Sequence, residues 1–232
     1  YRQRRDETWP TSGIPTSAYS RHNSKMEALL DEDAAVGGGP VVTRFRPALV
    51  MNREAGSELL RNTVPGFVPA AALRWLPVLP VDRRLVLQVV HVDDVASAIV
   101  TALRQRTGGA FNLAAEPPLS RDALARALGA RPVHLPSSVL RAVLAVGWWL
   151  RLQKVEPGWL DMGFSVPLMD CSRAERELGW RPSVTAPDAL RDTLAGMAAA
   201  VSTPSPALRR RTVAGALGDV LRGGPITTRP VS

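Results

Sequence analysis

Two rhythms of apolar residues alternate along the 232-residue chain. In one, apolar side chains recur every three or four positions, the spacing of one face of a helix. In the other they form short unbroken runs, as in a buried strand. Met26, Leu29 and Leu30 give the first helical stripe, in a segment that Thr16 or Ser17 is placed to cap. "HVDDVASAIVTALRQR" (91–106), "SRDALARALG" (120–129), "CSRAERELGW" (171–180) and "APDALRDTLAGMAAA" (186–200) also read as helices. Ser120 is placed to cap the second of these and Gly129 to end it. The strand-like runs are the first half of "VVTRFRPALV" (41–50), ended by Pro47, then "LVLQVV" (85–90), "GGAFNLAA" (108–115) and "RPVHLP" (131–136). Strands alternating with helices predict an α/β protein with a largely parallel sheet. The opening "YRQRRDETWPTSGIPTS" reads as loop, and 51–85 as irregular and punctuated by proline.

Composition narrows this little. The apolar share of 45% is ordinary for a globular protein. The net charge of +8 invites a nucleic-acid reading, but only Lys25 and Lys154 are lysines; the other 27 basic residues are arginines spread along the chain. No stripe interleaves basic and aromatic residues, so nucleic acid is not an expected partner. Cys171 is the only cysteine, which excludes an internal disulfide and fits a reducing, cytoplasmic setting. His22, His91 and His134 lack ligand spacing, so no metal is expected. "VLRAVLAVGWWLRL" (139–152) is too short to span a bilayer and carries arginines. It reads as a buried or interfacial helix, and no membrane partner is expected. "VGGGP" (36–40) leads into a strand, whereas phosphate-binding loops lead into a helix, so it reads as a plain connection. From 201 onward the composition is that of a flexible tail.

The chemistry concentrates at "SAYSRHNSKMEALLDE" (17–32). Residues four apart on a helix share a face. A tyrosine there can pass a proton to a carbonyl or alcohol oxygen if its pKa, about 10 when free, is lowered. A lysine at the fourth following position does this with its charge. Tyr19 has Asn23 in that place, and an amide brings no charge. Lys25 lies about 240° round the helix from Tyr19, too far to substitute in regular geometry.

Five segments in order resemble the extended short-chain dehydrogenases/reductases of the NAD-dependent epimerase/dehydratase type. "DETWPTSGIPTSAYSRHNSKMEALLDE" is similar to their Tyr-x-x-x-Lys segment, with Glu27 behind the motif. "VVTRFRPALV" resembles the next strand and its Arg-Pro turn. "LQVVHVDDVASAIVTAL", "GAFNLAAEPPLSRDALARAL" and "CSRAERELGWRPSVTAPDALRDTL" resemble the segments after it, so the likeness covers roughly residues 1 to 198. The family's glycine-rich first turn, which seats the cofactor pyrophosphate, has no counterpart, and Tyr1 resembles the residue just after the family's catalytic Ser/Thr segment. The chain therefore resembles the C-terminal two-thirds of such an enzyme.

The resemblance implies an incomplete Rossmann-like parallel sheet, its N-terminal strands missing, with a smaller C-terminal α/β substrate domain. Residues 1–50 and 86–116 would belong to the NAD(P)-binding domain, 51–85 and 117–200 to the substrate-binding domain, and 201–232 to the tail. It implies NAD or NADP as cofactor and a sugar nucleotide or similar carbonyl or alcohol as substrate, with a homodimer as the oligomeric option. Tyr19 takes the catalytic position and Asn23 that of the motif lysine. Arg46, Pro47 and Ala48 take the turn that reaches the nicotinamide end. A non-catalytic, family-derived binding or regulatory protein is the alternative. Asp93 and Asp94 read as helix N-capping, Asp94 matching the family's aspartate. His91 and His134 read as structural, and His22 as a residue beside the motif. Trp148, Trp149 and Trp159 read as packing in the second domain, with lining of an apolar pocket as the other option.

Overall fold

Adjacent residues of a strand point to opposite faces of a sheet. Val89 and Val90 are both fully buried, so the strand that carries them is covered on both sides. That strand lies in the core of the computed structural model, which describes residues 3–36, 38–54, 56, 77–150, 156–199 and 201. Most of the expected tail, Tyr1, and 57–76 of the irregular stretch lie outside the described residues.

The elements run β1 (Arg4–Arg5), α1 (Ala18–Val36), β2 (Thr43–Pro47), β3 (Leu49–Met51), β4 (Val78–Val81), β5 (Val86–Leu87) and β6 (Val89–His91). Then come α2 (Val92–Gln105), β7 (Gly109–Leu113), β8 (Leu119–Ser120), α3 (Arg121–Leu128) and β9 (Arg131–His134). The last are α4 (Ser137–Trp149), α5 (Pro157–Ser165), β10 (Leu168–Met169), a π-helical turn (Ala174–Leu178) and α6 (Ala186–Ala198). β2 pairs with β7, β3 with β6, β4 with β9 and β1 with β10, all parallel; β5 with β8 is antiparallel. The expected α/β architecture is present among the described residues as five two-stranded pairings, four of them parallel.

Val90 faces a cluster of Ala98 and Ala102 from α2, Phe111 and Leu113 from β7, and Ala174, Leu178 and Trp180. Val89 faces Met51, Ala115, Leu119 and three residues of α6, Ala186, Ala189 and Leu190. Two helical layers thus sandwich the strands, which is why β6 reads as an unbroken apolar run.

Several expectations need correction. The first strand does end at Pro47, but a second strand, β3, follows it after a single residue. Pro47 closes β2, after which the Ala48 N–H donates to the Leu113 carbonyl (2.8 Å) and that of Leu49 to the Gln88 carbonyl (3.3 Å). The chain so passes from pairing with β7 to pairing with β6. "LVLQVV" is two strands, broken at Gln88. Its side chain accepts from the Met169 N–H (2.6 Å) and donates to the Met169 carbonyl (3.2 Å). The loop-like opening contains β1, and "CSRAERELGW" forms a π turn in place of a regular helix. Helix α4 forms, but none of its residues is buried.

Helix α1 forms, but most of its expected apolar stripe is exposed. Met26 and Leu29 are 60% and 63% exposed and Leu30 is partly buried, while Glu27 faces the arginines of β2 and the exposed Asp31 reaches Arg44. Charge pairing, not apolar burial, sets the helix's rotation.

Candidate functional site

The ion pairs between α1 and β2 fix their relative direction. Arg44 bonds both Asp31 (2.6 Å) and Glu27 (3.0 Å). Two residues on, Arg46 grips Glu27 with two nitrogens (2.7 and 3.0 Å) and donates to the Glu7 carbonyl (2.9 Å). Advancing along β2 means retreating along α1, so the two run antiparallel. The N-terminus of α1 therefore points toward the carboxyl end of β2. In open α/β sheets, ligands bind at the carboxyl ends of strands. The Arg46 hydrogen bonds hold the Glu27 carboxyl below the usual glutamate range, against the upward push of its burial.

At the N-terminus, Ser17 caps α1. Fully buried, it accepts from the Ser20 N–H (3.3 Å), and its own N–H donates to the Ile14 carbonyl (3.0 Å). Of the two candidate caps, the structure selects Ser17. Tyr19 follows in the first turn, 52% exposed, with its ring stacked on that of Trp159 at 4.8 Å between centroids and 29° between planes. Asn23 does lie four residues on, but its amide donates to the Tyr19 backbone carbonyl (2.9 Å). It completes a turn of helix and brings no charge to the phenol. His22 and Lys25 are exposed on the same helix.

The Arg46 side chain is engaged by Glu27 and Glu7, and the Ala48 N–H by Leu113. Arg46 thus holds α1 on β2, leaving the turn at Pro47–Ala48 to present itself through its backbone. Asp94 is not an N-cap. That place belongs to His91, which accepts from the Asp93 N–H (3.3 Å). Asp94 is buried inside α2, where its carboxylate accepts from the Ser183 N–H (2.8 Å), the Ser183 hydroxyl (2.6 Å) and the Val184 N–H (3.2 Å). Its carbonyl also accepts from the Trp180 indole (2.8 Å). Helix propensity cannot reveal this role, because the partners lie almost ninety residues away.

His134 accepts from the Arg83 N–H (3.4 Å), a structural contact as expected. Burial pushes the Cys171 thiol up to about 12, so it stays protonated and unreactive. The tryptophans divide: Trp149 is 77% exposed, Trp148 is partly buried, and Trp159 is 41% exposed with its ring packed on Tyr19. Among the described residues no group of three His, Cys, Asp or Glu is placed to hold a metal, and no helix is long and apolar enough to cross a membrane.

The residues sequence reading missed lie on α5. Glu156 accepts from the Ala18 N–H (3.3 Å). Gly158 lies so close to the Thr16 carbonyl that a Cβ would collide with it. Asp161 accepts from the Thr16 side chain and from Arg141 of α4 (2.8 and 3.1 Å). The Arg141 hydrogen bonds, aided by that from Thr16, keep the Asp161 carboxyl below its usual range. "EPGWLD" (156–161) carried one usable signal, a proline suited to the first position of a helix. Nothing in it indicates the contact with 16–19.

No protein-family model matches the chain. An uncharacterized protein of Mycobacterium bovis is 37% identical over 122 residues, 50% of this chain and 13% of its own length. A UDP-glucose-4-epimerase from Stenotrophomonas maltophila, solved with NAD and formylated UDP-arabinopyranose bound, superposes with a TM-score of 0.55 and 21% identity. The match covers 85% of this chain and 60% of the epimerase. The terminal R domain of the myxalamid PKS-NRPS pathway superposes at 0.57 with 21% identity, over 86% and 54% of the two chains. The chain therefore has the Rossmann-like fold of NAD-dependent epimerase/dehydratase proteins. It spans about 60% of that epimerase's length and far less of the curated relative's.

Proposed function

We propose that the chain is the C-terminal portion of an NAD(P)-dependent epimerase, dehydratase or reductase acting on a sugar nucleotide or a similar carbonyl or alcohol. The observation that carries this reading is Tyr19, half exposed in the first turn of a helix whose N-terminus points toward the carboxyl end of β2. Its phenol would exchange a proton with the substrate oxygen. Residues 1–50 and 86–116 would contribute to the cofactor domain, and 51–85 with 117–200 to the substrate domain, in a protein that forms a homodimer.

The backbone at Pro47–Ala48, anchored by the Ala48 N–H on Leu113, fits the nicotinamide end of NAD or NADP. A nicotinamide bound there would accept or return the substrate's hydride. The 232 residues contain no Gly-x-x-Gly-x-x-Gly turn for the pyrophosphate, so full cofactor binding would need a further part of the protein.

The test is hydride transfer by the full-length natural protein, followed by nicotinamide absorbance over a panel of sugar nucleotides and simpler carbonyls. Turnover that Tyr19→Phe lowers by two or more orders of magnitude supports the reading. Turnover unchanged by Tyr19→Phe refutes it. A second reading, a family-derived protein that binds its ligand without turning it over, is favoured by one observation. The Asn23 amide is spent on the backbone and puts no charge near the phenol. Ligand binding with no turnover in any variant would support it.

A further inference from the structure

We infer that Trp159 is the positioning residue for Tyr19, supplying by ring stacking the restraint that Asn23 does not. The inference rests on the proton-transfer role proposed for Tyr19 and adds how this chain orients that side chain. Three observations carry it. First, the interaction described for the Tyr19 ring is the stack on Trp159, 4.8 Å between centroids and 29° between planes. Offset aromatic pairs at this spacing are attractive and set the plane of each ring. Second, Asn23, the residue placed to reach the phenol along the helix, has turned its amide to the Tyr19 carbonyl. The tyrosine's own helix therefore offers its hydroxyl no amide partner from that position.

Third, the indole sits on a turn that cannot drift. Glu156 holds the Ala18 N–H, and Asp161 holds Thr16 while Arg141 holds Asp161. Between them Gly158 lets α5 approach the Thr16 carbonyl to a distance no other residue would permit. Residues 156–161 thus grip residues 16–18, and the stacked pair lies beside that grip. One face of the Tyr19 ring is covered by indole, and the residue as a whole remains 52% exposed. A phenol free to swing through several rotamers would spend only part of its time aligned with the reacting oxygen.

The test uses the full-length protein and a double-mutant cycle of Tyr19→Phe with Trp159→Met, which keeps a long apolar side chain but removes the ring. Trp159→Met is expected to lower kcat about tenfold, the size of one aromatic pair, with cofactor affinity unchanged. Trp159→Phe, which restores a ring, should recover most of that loss. The double variant should be no slower than Tyr19→Phe alone, because Trp159 acts only through the phenol. Unchanged kcat in Trp159→Met overturns the inference, as does a loss that multiplies in full with that of Tyr19→Phe. Wild-type turnover in Tyr19→Phe overturns the proposed role of Tyr19 itself, and this inference with it. If Trp159→Met does not fold, NMR of ring-labelled tyrosine decides in the wild-type protein. Tyr19 ring signals, assigned by their loss in Tyr19→Phe, must be shifted upfield by the indole, and unshifted signals refute the stack.

Discussion

Asn23 shows how far one side chain can be read from spacing alone. Its position relative to Tyr19 follows from the helix period, but its hydrogen bond to the Tyr19 carbonyl does not. On the proposed role of Tyr19, Asn23→Lys should raise neutral-pH turnover of the full-length protein by an order of magnitude or more, each tenfold being about 1.4 kcal/mol of barrier. Lys25→Ala should leave it unchanged, because that side chain is exposed elsewhere on the helix. Initial rates of nicotinamide absorbance check both. Asp94 bears on folding instead. Asp94→Ala strips three buried or half-buried donors of their acceptor and should cost about 3 kcal/mol, read as a lowered midpoint in denaturant. The spacing of "DD" at a helix start suggested a cap, because a cap is a local device and the true partners are not.

Among elements, the α1–β2 contact depends on pH in a stated direction. Glu27 titrates below its ordinary value of 4.5 in the folded protein. Its contribution is therefore present above that value and lost as pH falls through the lowered one. Glu27→Gln should lower stability by about 2 kcal/mol at neutral pH and flatten the thermal midpoint's fall below about pH 4.5. A midpoint profile identical to wild type would show that the ion pairs do not hold α1. The α5–α1 contact makes a steric prediction. Gly158→Val must push the helix off the Thr16 carbonyl, and should cost about 1–3 kcal/mol as an overpacked contact, measured by thermal unfolding. Helix existence was legible here, in α2, α3 and α6 most clearly. Helix rotation was not: Met26 and Leu29 of the α1 stripe stay exposed, while Glu27 faces the arginines of β2.

For the whole molecule, exposed apolar surface is the notable feature. Met26 and Leu29 on α1, and Val139, Val143, Val146 and Trp149 on α4, are each about half exposed or more. β2 pairs only with β7 among the described residues, which leaves its other edge open. Open strand edges and contiguous apolar faces favour association. The isolated 232 residues should therefore self-associate, and light scattering that shows a monodisperse monomer would contradict this. The same isolated chain should bind NAD(H) weakly, since no glycine-rich turn is present to hold the pyrophosphate. Low-micromolar affinity by calorimetry would place the cofactor site within these residues after all.

The sequence by itself determined most of the helices and strands, the α/β alternation that goes with parallel pairing, and the position of Tyr19 in the first turn of its helix. It did so because helix period, capping at Ser120 and Gly129, and the buried run at 89–90 are properties of neighbouring residues. Tertiary structure alone decided which face of α1 points inward, which strand each half of 43–51 joins, and what Asp94 holds. It also brought residues 156–161 onto 16–18 and set Trp159 against Tyr19. These depend on pairs of charges, carbonyls and rings far apart along the chain, and no local pattern encodes a partner that only folding brings near.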